Sequence, residues 1–327
     1  MLHETARKTT TAGASGWGQL DTVRLMLAAV VVASHAYYFF LTPLGYVAFA
    51  SAAEWMARYA VLCFFVISGL VIGRSLTARR DGFVPFMIRR VGRIYPPLIA
   101  SVVLVVTIGH ALRWAGVSPA PLADAGPMVN SFSYDLGSIA LSLATFGFRG
   151  SLASGANIAL WSLVIEMRCY VVAGLLAQAI LSRTPGGKTI SAILLCGALA
   201  LLATDRMFDS VIAICYAAFA FGLVLSLAVQ RIPRLVPDVR VDISYSLYIL
   251  HQPVMLGLVL ACYRPFFPSL ASAISLGLAA SGVAVTLAWL SARWIEPFRL
   301  RAVAKAYDGL VRALLANTAP AAASAVK

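Results

Sequence analysis

The chain has 327 residues, of which 61% are hydrophobic and only 12% charged. Soluble domains are about half apolar and about a quarter charged, so this composition excludes a soluble enzyme or binding module and reads as a polytopic membrane protein. The formal charge of +13 comes from 26 Lys and Arg against 13 Asp and Glu. The basic residues cluster between apolar runs, which is membrane-orientation signal and not a nucleic-acid-binding pattern.

A transmembrane helix needs about 20 apolar residues to cross about 30 Å of hydrocarbon. The first candidate span is 25–43. A cleavable signal peptide fits it poorly, because the basic entry residue, Arg24, lies far from the start and the run ends in aromatics. Further candidates follow at 57–76, 94–112, 157–182, 189–204, 209–229, 241–262 and 270–294. Segment 136–148, "LGSIALSLATFGF", is too short for a dependable span. The expectation is an all-α transmembrane helical bundle of about 8–10 membrane helices.

The 74–93 connection carries Arg74, Arg79, Arg80, Arg89, Arg90 and Arg93 against one Asp81, so positive-inside bias puts it in the cytoplasm. Arg183 with Lys188, then Arg231, Arg234 and Arg240, then Arg299, Arg301 and Lys305 ask for the same side, whereas the connection holding Asp124 and Asp135 does not. All are satisfied if 136–148 is re-entrant or interfacial, which leaves eight full spans and both termini cytoplasmic. Residues 1–300 then form the membrane domain. Residues 301–327 read as a basic amphipathic helix on the inner leaflet followed by a low-complexity, disordered tail, and no soluble domain is read beside them. Cys63, Cys169, Cys196, Cys215 and Cys262 are scattered singly without metal-ligand spacing, and read as small buried hydrophobes. Gly69 and Gly73 form a GxxxG pattern, whose natural meaning is close helix packing.

Ionisable residues inside apolar segments are costly and are functional candidates by default. Arg24 stands at the cytoplasmic mouth of the first span, and His35, eleven residues on, lies roughly 16 Å deeper at 1.5 Å per residue. Arg90 and Arg93 share a helical face at the same mouth and are able to hold a diphosphate bidentately, although arginines at a cytoplasmic span end are also ordinary topology signal. Ser162, Glu166 and Tyr170 fall on one face of their helix, with Arg168 pointing elsewhere. Ser244, Tyr248 and His251 share another face, with Pro253 expected to bend the helix just afterward. An intramembrane histidine such as His251 reads as a helix-bridging hydrogen bonder or as a site residue.

The stretches "LDTVRLMLAAVVVASHA", "FFVISGLVIGRSL", "RRVGRIYPP", "LWSLVIEMRCY", "ISYSLYILHQP" and "WIEPFR" resemble, in order, the signatures of the acyltransferase-3 family of integral membrane acyltransferases. That resemblance implies an enzyme taking an acyl group, often acetyl, from cytoplasmic acyl-CoA to a hydroxyl of an extracytoplasmic or lipid-linked carbohydrate, at the bacterial inner membrane. The family's arginine–ten residues–histidine motif falls on Arg24 and His35, its R-x-x-R motif on Arg90 and Arg93, and its "WSL" with a following glutamate on Trp161, Ser162, Leu163 and Glu166. The expected roles are His35 as general base or acyl carrier, Glu166 orienting that imidazole, Arg24, Arg90 and Arg93 on acyl-CoA, and Trp161, Ser162, Tyr248 and His251 at the substrate. No metal is expected. The chain departs from the family at Met167 and Arg168, where an acid and an amide are common, and in its eight expected spans where about ten are usual. Some members carry an extracytoplasmic esterase-like domain; none is read here, so this chain is expected to act alone or with a separate partner. The rival class is a proton-coupled transporter using His35, Glu166 and His251 as a relay.

Overall fold

The structure, a computed structural model, describes residues 17–79, 82–118, 131–203, 210–229, 232–233, 235–239, 241–266 and 269–295, with 305 and 309. Arg80, Asp81, Asp124, Arg231, Arg234, Arg240, Arg299, Arg301 and nearly all of the 301–327 tail lie outside the described residues. The helices are α1 (Gln19–Ala36), α2 (Ala50–Arg79), α3 (Phe83–Trp114), α4 (Leu136–Ala144), α5 (Trp161–Leu181), α6 (Pro185–Ala203), α7 (Ser210–Ala228), α8 (Ser244–Phe266) and α9 (Leu270–Leu290). Among the described residues eight of these are long and apolar enough to cross a membrane, the exception being α4. The protein is an all-α polytopic bundle, with α5 and α8 the most enclosed helices and α6, α7 and α9 turning most of their surface outward. Cys169 and Cys215 are buried as expected, but Cys63 and Cys196 are exposed on apolar helices, where a small thiol is compatible with lipid.

Small residues set the closest contacts, since without water to exclude, membrane helices associate largely by van der Waals packing. A Cβ on Gly69 would collide with the Phe219 carbonyl of α7, and one on Gly222 with the Val66 carbonyl of α2. The GxxxG reading therefore holds, with Gly222 as its counterpart. On α9, Ala273, Ala280, Ala284 and Ala288 are fully buried. Their stripe lies on the side packed against α8 and the end of α1.

Two departures from regularity position the site. First, α1 does not stop after Ala36 but widens into a π-helical turn, Tyr37–Leu41; such turns occur often at functional sites. Second, the segment around α4 folds back on itself, Ala156 N–H returning to the Ser133 carbonyl (3.0 Å). Tyr134, just before α4, accepts a hydrogen bond from Arg113 Nη2 (3.3 Å), near one end of α3. At the other end of α4 the Leu143 carbonyl accepts from Tyr95 OH (2.5 Å), and Tyr95 lies about 27 Å back along α3 from Arg113. Asp135 caps α4 by accepting from Gly137 N–H (2.9 Å). The chain then reverses through Phe146, Gly147 and Gly150, all at positive φ, which is strain-free only for the glycines. It is sewn back into the bundle by Asn157 Nδ2, donating to Ser101 Oγ (3.1 Å) and the Ile249 carbonyl (2.9 Å).

The helix bearing Arg90 and Arg93 is longer than the expected 94–112 span, beginning at Phe83 and containing Pro96 and Pro97. Membrane helices tolerate internal proline because neighbours re-satisfy the freed backbone. α8 likewise continues as helix through Pro253 to Phe266.

Candidate active site

Arg24 is fixed by the anchoring of α1. Gln19 donates to the Pro233 carbonyl (2.5 Å) and accepts from Leu235 N–H (2.7 Å). Thr22 donates to the Pro237 carbonyl (2.6 Å) and accepts from Val239 N–H (3.1 Å). With its first turn clamped to the 232–239 connection, α1 aims Arg24, only 8% exposed, into the bundle. Arg93 pairs with Asp242 (3.6 Å), whose carboxylate also accepts from Ser244 N–H at the start of α8 (3.0 Å). Arg90 lies over the rings of Phe86 (5.3 Å) and Tyr170 (5.5 Å). All three guanidiniums come within electrostatic reach of Glu166 and Tyr170.

Glu166 does not orient His35. Its Oε1 accepts from Ser68 Oγ (3.0 Å) and Tyr170 OH (2.5 Å) and belongs to the arginine cluster. The group at His35 is instead His251, with His35 Nδ1 and His251 Nε2 2.7 Å apart and the rings 14° from coplanar. His251 Nδ1 is 3.1 Å from the Leu247 carbonyl, which only accepts, so that nitrogen carries the hydrogen. With both rings neutral, His251 Nε2 is bare and accepts from His35 Nδ1–H, leaving the lone pair of His35 on Nε2. His251 is fully buried and does not line the cavity beside His35, so it supports the imidazole from behind and does not face a substrate.

That cavity has a volume of about 350 Å³, within the range of small-molecule pockets. Its wall takes His35, Tyr38, Glu54, Arg58, Trp161 and Tyr248, with the loop after α4 contributing Gly150, Ser151 and Ala153. A smaller pocket of about 40 Å³ lies toward the arginines, lined by Arg24, Ser68, Ser162, Glu166 and Ser244. Tyr248 and Val61 border both spaces. Tyr248 is held there by Ser162 Oγ (2.7 Å) and the Ala159 carbonyl (3.1 Å). Of the expected substrate residues, Trp161 and Tyr248 thus face the large cavity and Ser162 the small one. Arg168 points away from Glu166, as expected, donating to the Gly147 carbonyl (2.7 Å) and reaching the cavity wall.

Glu54, Arg58 and Gln252 escaped the sequence reading. Glu54 and Arg58 stand at a span end, where charge is ordinary, and their i, i+4 spacing was the one available signal. The relay expected for a transporter is interrupted, since the hydrogen bonds of Glu166 run to Ser68 and Tyr170 and not to the histidine pair.

The structure thus sets the His35 imidazole, backed by His251, on the large cavity, and Arg24 and Glu166 on the smaller pocket beyond Tyr248. Residues 17–206 match the family model described as "Acyltransferase domain", and the chain belongs to this acyltransferase-3 family of integral membrane acyltransferases. It is also 32% identical, over 183 residues, to a protein named O-acetyl transferase from Shigella phage Sf6, a match covering 54% of this chain and 49% of that protein. The chain thus spans about half the length of the curated relative it matches. No solved structure matches.

Proposed function

We propose that this protein is an O-acetyltransferase that takes an acetyl group from acetyl-CoA at the cytoplasmic face and places it on a hydroxyl of an extracytoplasmic or lipid-linked carbohydrate. The observation that carries the reading is the position of His35, whose bare Nε2 belongs to an imidazole fixed by His251, on a cavity separated from the arginine cluster by Tyr248. The name of the phage relative supports oxygen as the acceptor atom and acetyl as the group. Positive-inside bias assigns the end bearing Arg74, Arg79, Arg90, Arg93 and Lys188 to the cytoplasm, which gives a multi-pass protein of the bacterial inner membrane with both termini inside.

On this reading Arg24, Arg90 and Arg93 take the CoA diphosphate. Arg24 and Arg90 each keep a buried Nε without a hydrogen-bond partner, which fits an anionic ligand. Arg93 would exchange Asp242 for phosphate. The roughly 16 Å from Arg24 to His35 is of the order of an extended pantetheine arm. His35 Nε2 takes the proton of the acceptor hydroxyl as its oxygen attacks the thioester carbonyl; the C–S bond breaks, and the imidazolium returns the proton to the departing thiolate. His251 stabilises the imidazolium through the Nδ1–H bond, as an orienting partner does in hydrolase triads. Isotope-labelled acetyl-CoA supplied to membranes tests the proposal: label in glycan supports it, whereas uptake without covalent transfer supports a carrier.

A further inference from the structure

The part of the large cavity that the chemistry of His35 does not use is itself built for a ligand. Tyr38, three residues beyond His35 in the π turn, donates to Glu54 Oε2 (3.3 Å), and Arg58 binds Glu54 Oε1. A carboxylate offers about four acceptor positions, so two fixed donors leave it oriented but not saturated. Gln252, which also lines the cavity, accepts from Ala159 N–H through its side-chain carbonyl (2.6 Å), which leaves its NH₂ as a further donor. Trp161 adds a broad apolar ring at the first turn of α5, and Ile158 and Val211 add aliphatic surface to the same cavity. An aromatic plate sharing one cavity with paired acceptors and donors matches a pyranose, whose apolar C–H face packs on a ring while its adjacent hydroxyls both donate and accept.

We infer that Glu54, oriented by Tyr38 and Arg58, together with Trp161 forms the acceptor subsite, and that it takes a hexose with a vicinal diol on Glu54 and one further hydroxyl directed at His35. This rests on the acetyltransferase reading and deepens it. Tyr38 ties the two ends of the subsite together: it shares a helix with His35 and a hydrogen bond with Glu54, so the recognising carboxylate lies one tyrosine side chain from the base.

The test uses the full-length protein in membranes, labelled acetyl-CoA, and glycan extracted from cells lacking the gene as acceptor. Glu54→Gln keeps the size of the side chain, and Trp161→Ala removes the plate; both are compared at equal membrane abundance. Each is expected to raise the apparent KM for that glycan about tenfold or more, the size of one lost hydrogen bond to a charged group or one lost aromatic contact, with the KM for acetyl-CoA unchanged. Wild-type glycan kinetics in both variants, or an equal rise in both KM values, overturns the subsite while leaving the acetyltransferase reading intact. Failure of the wild-type protein to label the glycan overturns that reading and the subsite with it.

Discussion

His35 and His251, 216 residues apart in the chain, meet through Nδ1 and Nε2 at 2.7 Å, and the second ring is locked to the Leu247 carbonyl of its own helix. With both rings neutral, one backbone carbonyl thereby fixes two protons, on His251 Nδ1 and on His35 Nδ1, and leaves His35 Nε2 with its lone pair.

If that chain of hydrogen bonds selects the tautomer, His251→Phe keeps an aromatic ring but leaves His35 Nδ1–H without an acceptor. Loss of such an orienting partner should lower kcat on the order of 10²-fold or more. His251→Gln, which retains an acceptor, should lose less. The comparison is made at saturating acetyl-CoA; equal losses in the two variants would argue against a tautomer-fixing role.

Glu166 is expected to behave differently. Its partners are Ser68 and Tyr170 among the arginines, so Glu166→Gln should change the donor KM and heat resistance in detergent while leaving the pH profile of kcat unmoved. A profile displaced in the same way as in a His251 variant would place Glu166 functionally at the imidazole.

The arginines separate topology from binding. Positive-inside bias counts Lys and Arg alike, whereas a diphosphate grip needs the planar fork. A properly inserted Arg90→Lys, Arg93→Lys protein should lose about ten- to a hundredfold in donor kcat/KM. Unaltered donor kinetics would return both residues to a topological role.

Orientation is tested with an impermeant thiol reagent after the native cysteines are replaced. A cysteine at Gly82, beside the start of α3, should be shielded in intact cells, and one at Val47, in the exposed turn before α2, should be labelled. Reversed accessibility would invert the assignment of donor and acceptor sides.

Much of this was legible in sequence because membrane physics writes it locally. Segment length and charge separate eight crossings from α4, and the depth of His35 below Arg24 follows from helical rise alone. The shared face of Ser162, Glu166 and Tyr170 also emerges from spacing. What could not be read is which face meets which. The sequence expectation puts Glu166 at His35 because buried acids commonly orient histidines, yet Ser68 and Tyr170 hold it elsewhere, and His251 takes the place. That pairing depends on how α1 and α8 rotate against each other, which single-helix periodicity does not encode. Glu54 and Arg58 are not legible as cavity residues, because the loop that shares the cavity wall with them, Gly150, Ser151 and Ala153, comes from a distant part of the chain.

The most direct measurement is acetyl transfer from labelled acetyl-CoA to glycan by membranes carrying His35→Gln at wild-type abundance. The substitution preserves a hydrogen-bonding group of similar reach but cannot cycle a proton at Nε2. Transfer should fall about 10²- to 10⁴-fold. Wild-type transfer by that variant would contradict the role of His35 and, with it, the mechanism built on the imidazole pair.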